Sequence, residues 1–188
     1  MNMKHVIYFH GFASGPHGSK YSWLKSAGDY KVFAPPVPFN FNQVPKLESA
    51  VHSWIAANVE LGDTVLFVGT SLGGYFATFL AHKFDAKAIV FNPCVDPKGD
   101  LTKSIGTNQN FATGKSFELT QADVSSFRRL DPSKVDEAHV KAVISTGDTV
   151  VDPKKALKVY ANRVTIASDD HQFNNKALFL KYVASMFE

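Results

Sequence analysis

Short apolar runs recur along the chain, and most of them stop at a glycine, a proline or a polar turn residue. Runs that are apolar on both faces are typical of strands in a parallel sheet that is covered by helices on each side. Six such runs predict strands at residues 6–9, 31–34, 65–68, 88–91, 142–145 and 164–167.

Most of the segments between these runs have apolar residues at helical spacing. Residues 43–60 place apolar side chains at steps of three and four, which favours an amphipathic helix. The same reasoning predicts helices at 72–84, 153–160 and 176–187; the helix 153–160 has Asp152 as its N-cap and a proline in its first turn. The alternation predicts one α/β domain over residues 1–188, with about six mostly parallel strands.

The segment 94–131 interrupts this alternation. It is rich in Asn, Gln, Thr, Gly and Lys, and Phe111, Phe117 and Phe127 are scattered through it. A long irregular stretch inside a compact domain is typical of a lid or another functional insertion. Surface helices with no role in binding are the alternative interpretation.

Composition narrows the class of protein. The chain has 188 residues, 45% of them hydrophobic, which is ample for a folded core and argues against disorder. The net charge of +3 comes without a long basic run, so nucleic acid is not an expected partner. Cys94 is the single cysteine, which excludes an intrachain disulfide. With no signal-like N-terminus and no stretch of 18 apolar residues, we expect a soluble cytoplasmic protein without a membrane span.

The sequence Gly69-Thr70-Ser71-Leu72-Gly73 reads G-x-S-x-G between a predicted strand and a predicted helix. This context is that of the nucleophile elbow of α/β-hydrolases, where a sharp turn presents the serine hydroxyl in a cleft. The alternative is a glycine-rich turn with a capping serine. We interpret Ser71 as the nucleophile, and expect the α/β-hydrolase fold.

A serine nucleophile needs a base and an acid that orients it, and in this fold they follow in the order serine, acid, histidine. Asp148 follows the fifth strand, and Asp152 is its nearest rival. His171 follows the sixth strand. Asp169 and Asp170 precede it directly and are expected to cap the last helix. The other histidines considered fit less well by position: His5 and His10 before the serine, His52 and His82 in helical stretches, and His139 before the fifth strand.

The loop after the first strand is expected to complete an oxyanion hole. Gly11 allows the backbone to turn towards the serine, and the N–H groups of Phe12 and Leu72 are the predicted donors. His10 is interpreted as a ring that fixes this loop. Together these residues predict a serine hydrolase that cleaves a small acyl ester or thioester through an acyl-enzyme. A peptidase or amidase with the same residues, and a non-catalytic binding protein of this fold, are the alternatives. No metal-binding spacing and no cofactor motif is present, so none is expected.

Several motifs occur together and in order along nearly the whole chain. They are His10-Gly11-Phe12 with Ser14, Pro16, Ser19 and Lys20, the elbow with Gly74, Asn92-Pro93, Gly147-Asp148 and Asp170-His171-Gln172-Phe173. In this combination the chain resembles the small bacterial esterases of the YqiA/YcfP type. The resemblance implies an esterase that acts on acyl esters or acyl-CoA thioesters. It also implies a minimal hydrolase without the leading antiparallel strands of larger relatives.

Overall fold

A six-stranded parallel sheet forms the centre of the computed structural model, which describes residues 2–188. Its strands are β1 (Lys4–Phe9), β2 (Lys31–Phe33), β3 (Thr64–Thr70), β4 (Lys87–Phe91), β7 (Val140–Ser145) and β8 (Arg163–Ile166). They are arranged in the order β2-β1-β3-β4-β7-β8, and every neighbouring pair is parallel. Parallel pairing brings the carboxyl ends of all six strands to one edge of the sheet.

Helices cover both faces of this sheet because successive side chains of each strand point in opposite directions. Ile7 and Phe9 of β1 lie in one core cluster, and Val6 and Tyr8 lie in the other. The first cluster packs against α2 (Val44–Asn58), α3 (Leu72–Phe84) and α6 (Pro153–Val159). The second packs against α1 (Ser19–Ser26) and α7 (Lys176–Ala184).

The predicted regular elements are present, within a few residues at their ends. Helix α1 was not predicted, because it buries only Leu24 and a lysine and so has almost no apolar periodicity. Asp152 is the N-cap of α6, as expected, and accepts a hydrogen bond from the Lys154 N–H at 2.9 Å.

The prediction that Asp169 and Asp170 cap the last helix was wrong. Asn175 is the N-cap of α7 and accepts from the Leu178 N–H at 3.0 Å. Asp170 lies one turn too early and instead accepts from the N–H of Asn174 at 2.6 Å. The N-cap is therefore Asn175, the residue directly before the helix.

The segment 94–131 contains more structure than its sequence pattern indicated. It holds α4 (Pro97–Leu101), an antiparallel hairpin of β5 (Gly106–Gln109) and β6 (Ser116–Leu119), and α5 (Gln121–Ser126). The hairpin strands are short and mostly polar, so they lack a clear period-two signal. Phe127 is buried in the core cluster beside α2 and α3, whereas Phe111 at the hairpin turn is 82% exposed.

Among residues 2–188, no helix has both the length and the apolar composition that a bilayer crossing needs.

Replacing Phe179 with alanine tests the packing of α7 on the sheet. The side chain is completely buried, 4.5 Å from the ring of Phe91 and 5.8 Å from that of Trp23 between centroids. The cavity should lower the free energy of unfolding by about 3–5 kcal/mol. The matched change Leu61→Ala, at a fully exposed position, should stay within about 0.5 kcal/mol. Urea unfolding followed by circular dichroism measures both; equal effects would contradict the assigned packing.

Candidate active site

Ser71 occupies the turn between β3 and α3 with φ 53° and ψ −121°, a conformation that non-glycine residues rarely adopt. Neighbouring backbone holds the turn in place. The Ser71 N–H donates to the Phe91 carbonyl at 3.1 Å, and the Ser71 carbonyl accepts from the N–H groups of Gly74 at 2.9 Å and Cys94 at 3.0 Å. The structure therefore places the predicted serine at a fixed and strained position at the end of a central strand.

The two glycines of the motif allow the backbone segments to approach closely. A Cβ atom at Gly73 would overlap the carbonyl of Phe9 at the end of β1. A Cβ atom at Gly69 would overlap the carbonyl of Gly73 itself. Only glycine at both positions lets α3 begin directly against β1 and β3. The N-terminus of the helix therefore lies close to the ends of these strands.

The structure brings the predicted acid and base to the serine. His171 Nε2 lies 3.0 Å from Ser71 Oγ, and His171 Nδ1 lies 2.6 Å from Asp148 Oδ2. The side chain of Asp148 is 1% exposed and that of His171 is 9% exposed. Asp148 Oδ1 accepts the N–H groups of Val150 at 2.8 Å and Val151 at 3.2 Å. The rival acid Asp152 has its side chain at the N-terminus of α6 instead.

Asn92 fixes the loop that carries the histidine. Its side-chain amide donates to the carbonyls of Asp170 at 2.9 Å and His171 at 3.0 Å, and its Oδ1 accepts the Ser145 N–H at 2.7 Å. The residue is 2% exposed and has a positive φ of 43°. No role for Asn92 was predicted from the sequence, although its position as a polar residue directly after β4 was the available signal.

The loop after β1 runs beside the serine. A Cβ atom at Gly11 would lie 3.4 Å from Ser71 Cβ. Within residues 2–188, the N–H groups of Phe12 and Leu72 donate to no protein acceptor, so both predicted donors are free for a ligand. They flank the turn from the first loop and from the start of α3.

His10 holds this loop, as its interpretation as a structural ring predicted. Its Nε2 accepts the Val37 N–H at 3.0 Å, so Nδ1 carries the proton and donates to the Gly11 carbonyl at 2.9 Å. Burial lowers the pKa of His10, against the smaller opposite effect of the Gly11 carbonyl. The neutral ring joins the loop to the segment after β2.

A cavity of about 460 Å³ opens above Ser71 and His171. The segment 94–131 contributes Leu101, Ser104 and Phe111 to its wall. Tyr8 also lines the cavity, and its hydroxyl group is 3.1 Å from Thr70 Oγ1. Burial raises the pKa of Tyr8 to about 12, so the phenol is neutral in the physiological range. The cavity walls offer both apolar surface and hydroxyl groups to a ligand.

Four charged or acidic groups lie in the cavity wall, and most of them already have hydrogen-bond or ion-pair partners within the protein. The Asp100 carboxylate pairs with Lys155 Nζ at 2.8 Å and accepts from the Cys94 thiol at 3.3 Å. Burial raises the pKa of Cys94 well above its ordinary value, so this thiol is a poor nucleophile. Lys103 Nζ donates to the Val150 carbonyl at 3.2 Å, whereas Lys20 is 6% exposed and pairs with no carboxylate of the described chain.

Several known proteins are similar to this chain. The chain is 24% identical over 176 residues to the UPF0227 protein YcfP of Salmonella arizonae, covering 90% of this chain and 91% of the relative. Est1E from Butyrivibrio proteoclasticus, solved with ferulic acid bound, is similar over 99% of this chain and 88% of its own, at 15% identity and a TM-score of 0.68. A structure from the metagenome-derived lipolytic enzymes LipS and LipT is similar over 98% and 93%, at 14% identity and the same TM-score.

At these identities the solved structures establish the fold, which is that of the α/β-hydrolases. The family described as "Uncharacterised protein family (UPF0227)" matches residues 5–188, and the chain therefore belongs to UPF0227.

Proposed function

We propose that this protein is a serine esterase that cleaves carboxylic esters, with Ser71, His171 and Asp148 as its catalytic residues. The observation that carries the proposal is the position of the His171 ring, which lies between Ser71 Oγ at 3.0 Å and the buried Asp148 carboxylate at 2.6 Å. Both the serine and the histidine line the cavity. A nucleophile, a base within hydrogen-bonding distance and a group that orients the base meet the geometric requirement for acyl transfer.

The proposed reaction begins when His171 Nε2 takes the proton of Ser71 Oγ as that oxygen attacks the ester carbonyl carbon. The carbonyl oxygen then bears a negative charge, and the free N–H groups of Phe12 and Leu72 are the donors that stabilise it. The intermediate collapses with cleavage of the ester bond, and His171 returns its proton to the departing alcohol. Water then attacks the acyl-enzyme through the same histidine, releasing the acid and restoring Ser71.

Asp148 has two tasks in this scheme. It accepts a hydrogen bond from the Nδ1–H group, which keeps the proton on Nδ1 and leaves Nε2 free to act as the base, and its negative charge stabilises the imidazolium that forms. The N–H groups of Val150 and Val151 hold the second carboxylate oxygen, so the acid does not rotate away from the ring. The segment 94–131 acts in the proposal as a cap that shapes the cavity.

The similarity to Est1E with bound ferulic acid and to the lipolytic enzymes LipS and LipT supports an ester, rather than another acyl compound, as the substrate. A thioester would react through the same steps. An amide needs stronger protonation of its leaving group, and no donor in the cavity other than His171 is assigned to that step. A purely binding role would leave the hydrogen-bonded serine, histidine and aspartate without a use.

Removal of the nucleophile is the first test. Ser71→Ala should lower kcat on p-nitrophenyl esters by several orders of magnitude, because the bond to the acyl group cannot form. The measurement follows nitrophenolate release by wild type and variant over a series of acyl lengths, with acyl-CoA in parallel. A fluorophosphonate probe should label the wild type once and leave the Ser71→Ala protein unlabelled.

Ser53→Ala is the matched control, since this serine is exposed on α2 and away from the cavity. It should retain full activity and full labelling. Equal turnover by Ser71→Ala and wild type would refute the assignment of the nucleophile.

Exchange of the acid tests the orientation of the histidine. Asp148→Asn should lower kcat by roughly 10⁴-fold, because the amide NH2 group can donate to Nδ1 and so favours the tautomer with its proton on Nε2, which cannot act as the base. Asp152→Asn, four residues later, changes only a helix N-cap and should preserve kcat, with a loss of stability of a few tenths of a kcal/mol at most, since Asn is as good a cap as Asp. Steady-state kinetics and thermal melts separate the two variants. Equal losses of activity would contradict the choice of Asp148.

A further inference from the structure

The cavity wall contains a buried cation that the proposed reaction does not use. Lys20 lies in the first turn of α1 and is 6% exposed, which is unusual for a lysine. Within residues 2–188 its ammonium group forms no ion pair and no hydrogen bond with a protein acceptor. Because Lys20 lines the cavity and no protein acceptor of the described residues contacts its ammonium group, an anion in the cavity can supply that partner.

One carboxylate acts on Lys20 through its charge but does not contact it. It belongs to Asp170, and both of its oxygens accept hydrogen bonds from Asn174. Burial lowers the pKa of Lys20 and Asp170 partly opposes that change. The indole ring of Trp23, with its centroid 5.2 Å from the ammonium nitrogen, packs alongside the cation.

The N-terminal end of α1, which lies beside Lys20, is also electrostatically positive. Gly18, Ser19 and Lys20 all line the cavity, and α1 begins there. The N-cap is Gly18, which offers no side-chain acceptor, and the first turn contains no acidic residue. The first N–H groups of the helix and the positive end of its dipole therefore have no compensating group in the cap or the first turn of α1.

The other charged side chains of the cavity wall have partners within the protein. Asp100 is the acidic group on the wall; Lys155 Nζ lies between it, at 2.8 Å, and Asp96, at 3.1 Å, so these three groups together keep one net negative charge. Lys103 on the wall has the opposite sign and donates to the Val150 carbonyl. Lys20 therefore differs from the other charged side chains of the wall in having neither an ion pair nor a hydrogen bond with a protein group of the described residues.

We infer that Lys20 and the N-terminus of α1 form a binding subsite for an anionic group, a carboxylate or a phosphate, carried by the ester that Ser71 cleaves. The inference rests on the proposed function for the position of the reacting bond, whereas the anion site itself rests on Lys20 and α1. It makes Lys20 a specificity-determining residue, because the bound anion gains a charge-assisted hydrogen bond that a neutral ester does not offer.

Two pairs of substrates locate the anion. On the acyl side, mono-p-nitrophenyl adipate is compared with its methyl ester, which lacks the charge. On the alcohol side, 4-acetoxybenzoate is compared with its methyl ester. We expect the wild type to prefer the charged member of at least one pair in kcat/KM, and Lys20→Met to reduce that preference on the order of 10- to 100-fold. Lys20→Arg should keep most of it.

Lys25→Met is the matched control, since Lys25 lies on the same helix, is exposed and does not line the cavity. It should leave the preference unchanged. Thermal melts confirm that each variant is folded. A wild type without preference in either pair, or equal losses in Lys20→Met and Lys25→Met, would overturn the inference while leaving the esterase proposal intact.

A binding measurement separates this inference from the esterase proposal. Titration calorimetry with monomethyl adipate, 4-hydroxybenzoate and inorganic phosphate should show binding of at least one anion to the wild type and its loss in Lys20→Met. If no ester is hydrolysed but this binding is found, the anion subsite is supported and the esterase proposal fails. Absence of Lys20-dependent binding to all three anions overturns the subsite, whatever the activity.

Discussion

The strained turn at Ser71 is the constraint on which the rest of the site depends. A positive φ at a residue with a side chain costs on the order of 1–3 kcal/mol, and such a conformation persists only when the surroundings fix it. Here the Phe91 carbonyl, the Gly74 and Cys94 N–H groups and the close approach of α3 to β1 fix it together. The serine hydroxyl is consequently held at one place relative to the sheet edge, and the other groups are arranged around that place.

The parallel sheet then determines which groups can reach the hydroxyl. Strands β4, β7 and β8 end at the same edge as β3, so Asn92, Asp148 and His171 arrive from three successive strand ends. Asn92 joins the first two of these ends to the histidine loop through three hydrogen bonds. The distance between the histidine and the serine is therefore set by backbone pairing in the sheet rather than by one flexible loop.

The anionic and the cationic groups of the cavity differ in the hydrogen-bond partners that the protein gives them. Asp148 and Asp100 are held by hydrogen-bond donors from the protein, through N–H groups in one case and Lys155 in the other. Lys20 and the start of α1 are left without acceptors from the described chain. This difference is the basis of the proposed subsite for an anionic group, and it distinguishes the cavity wall from a purely apolar surface.

The sequence by itself determined the sheet and the identities of Ser71, Asp148 and His171 as candidates. Continuous apolar runs report burial on both faces, and a polar residue directly after such a run must lie at the strand-end edge. Asn92, the hairpin of β5 and β6, and the environment of Lys20 depended on the tertiary structure. Each is defined by contacts between residues far apart in the chain: Asn92 with His171, the insertion with the cavity, and α1 with the loop of Asp170. Local periodicity carries no record of such contacts, so a lysine that looks like a solvated surface residue in the sequence is buried in the fold.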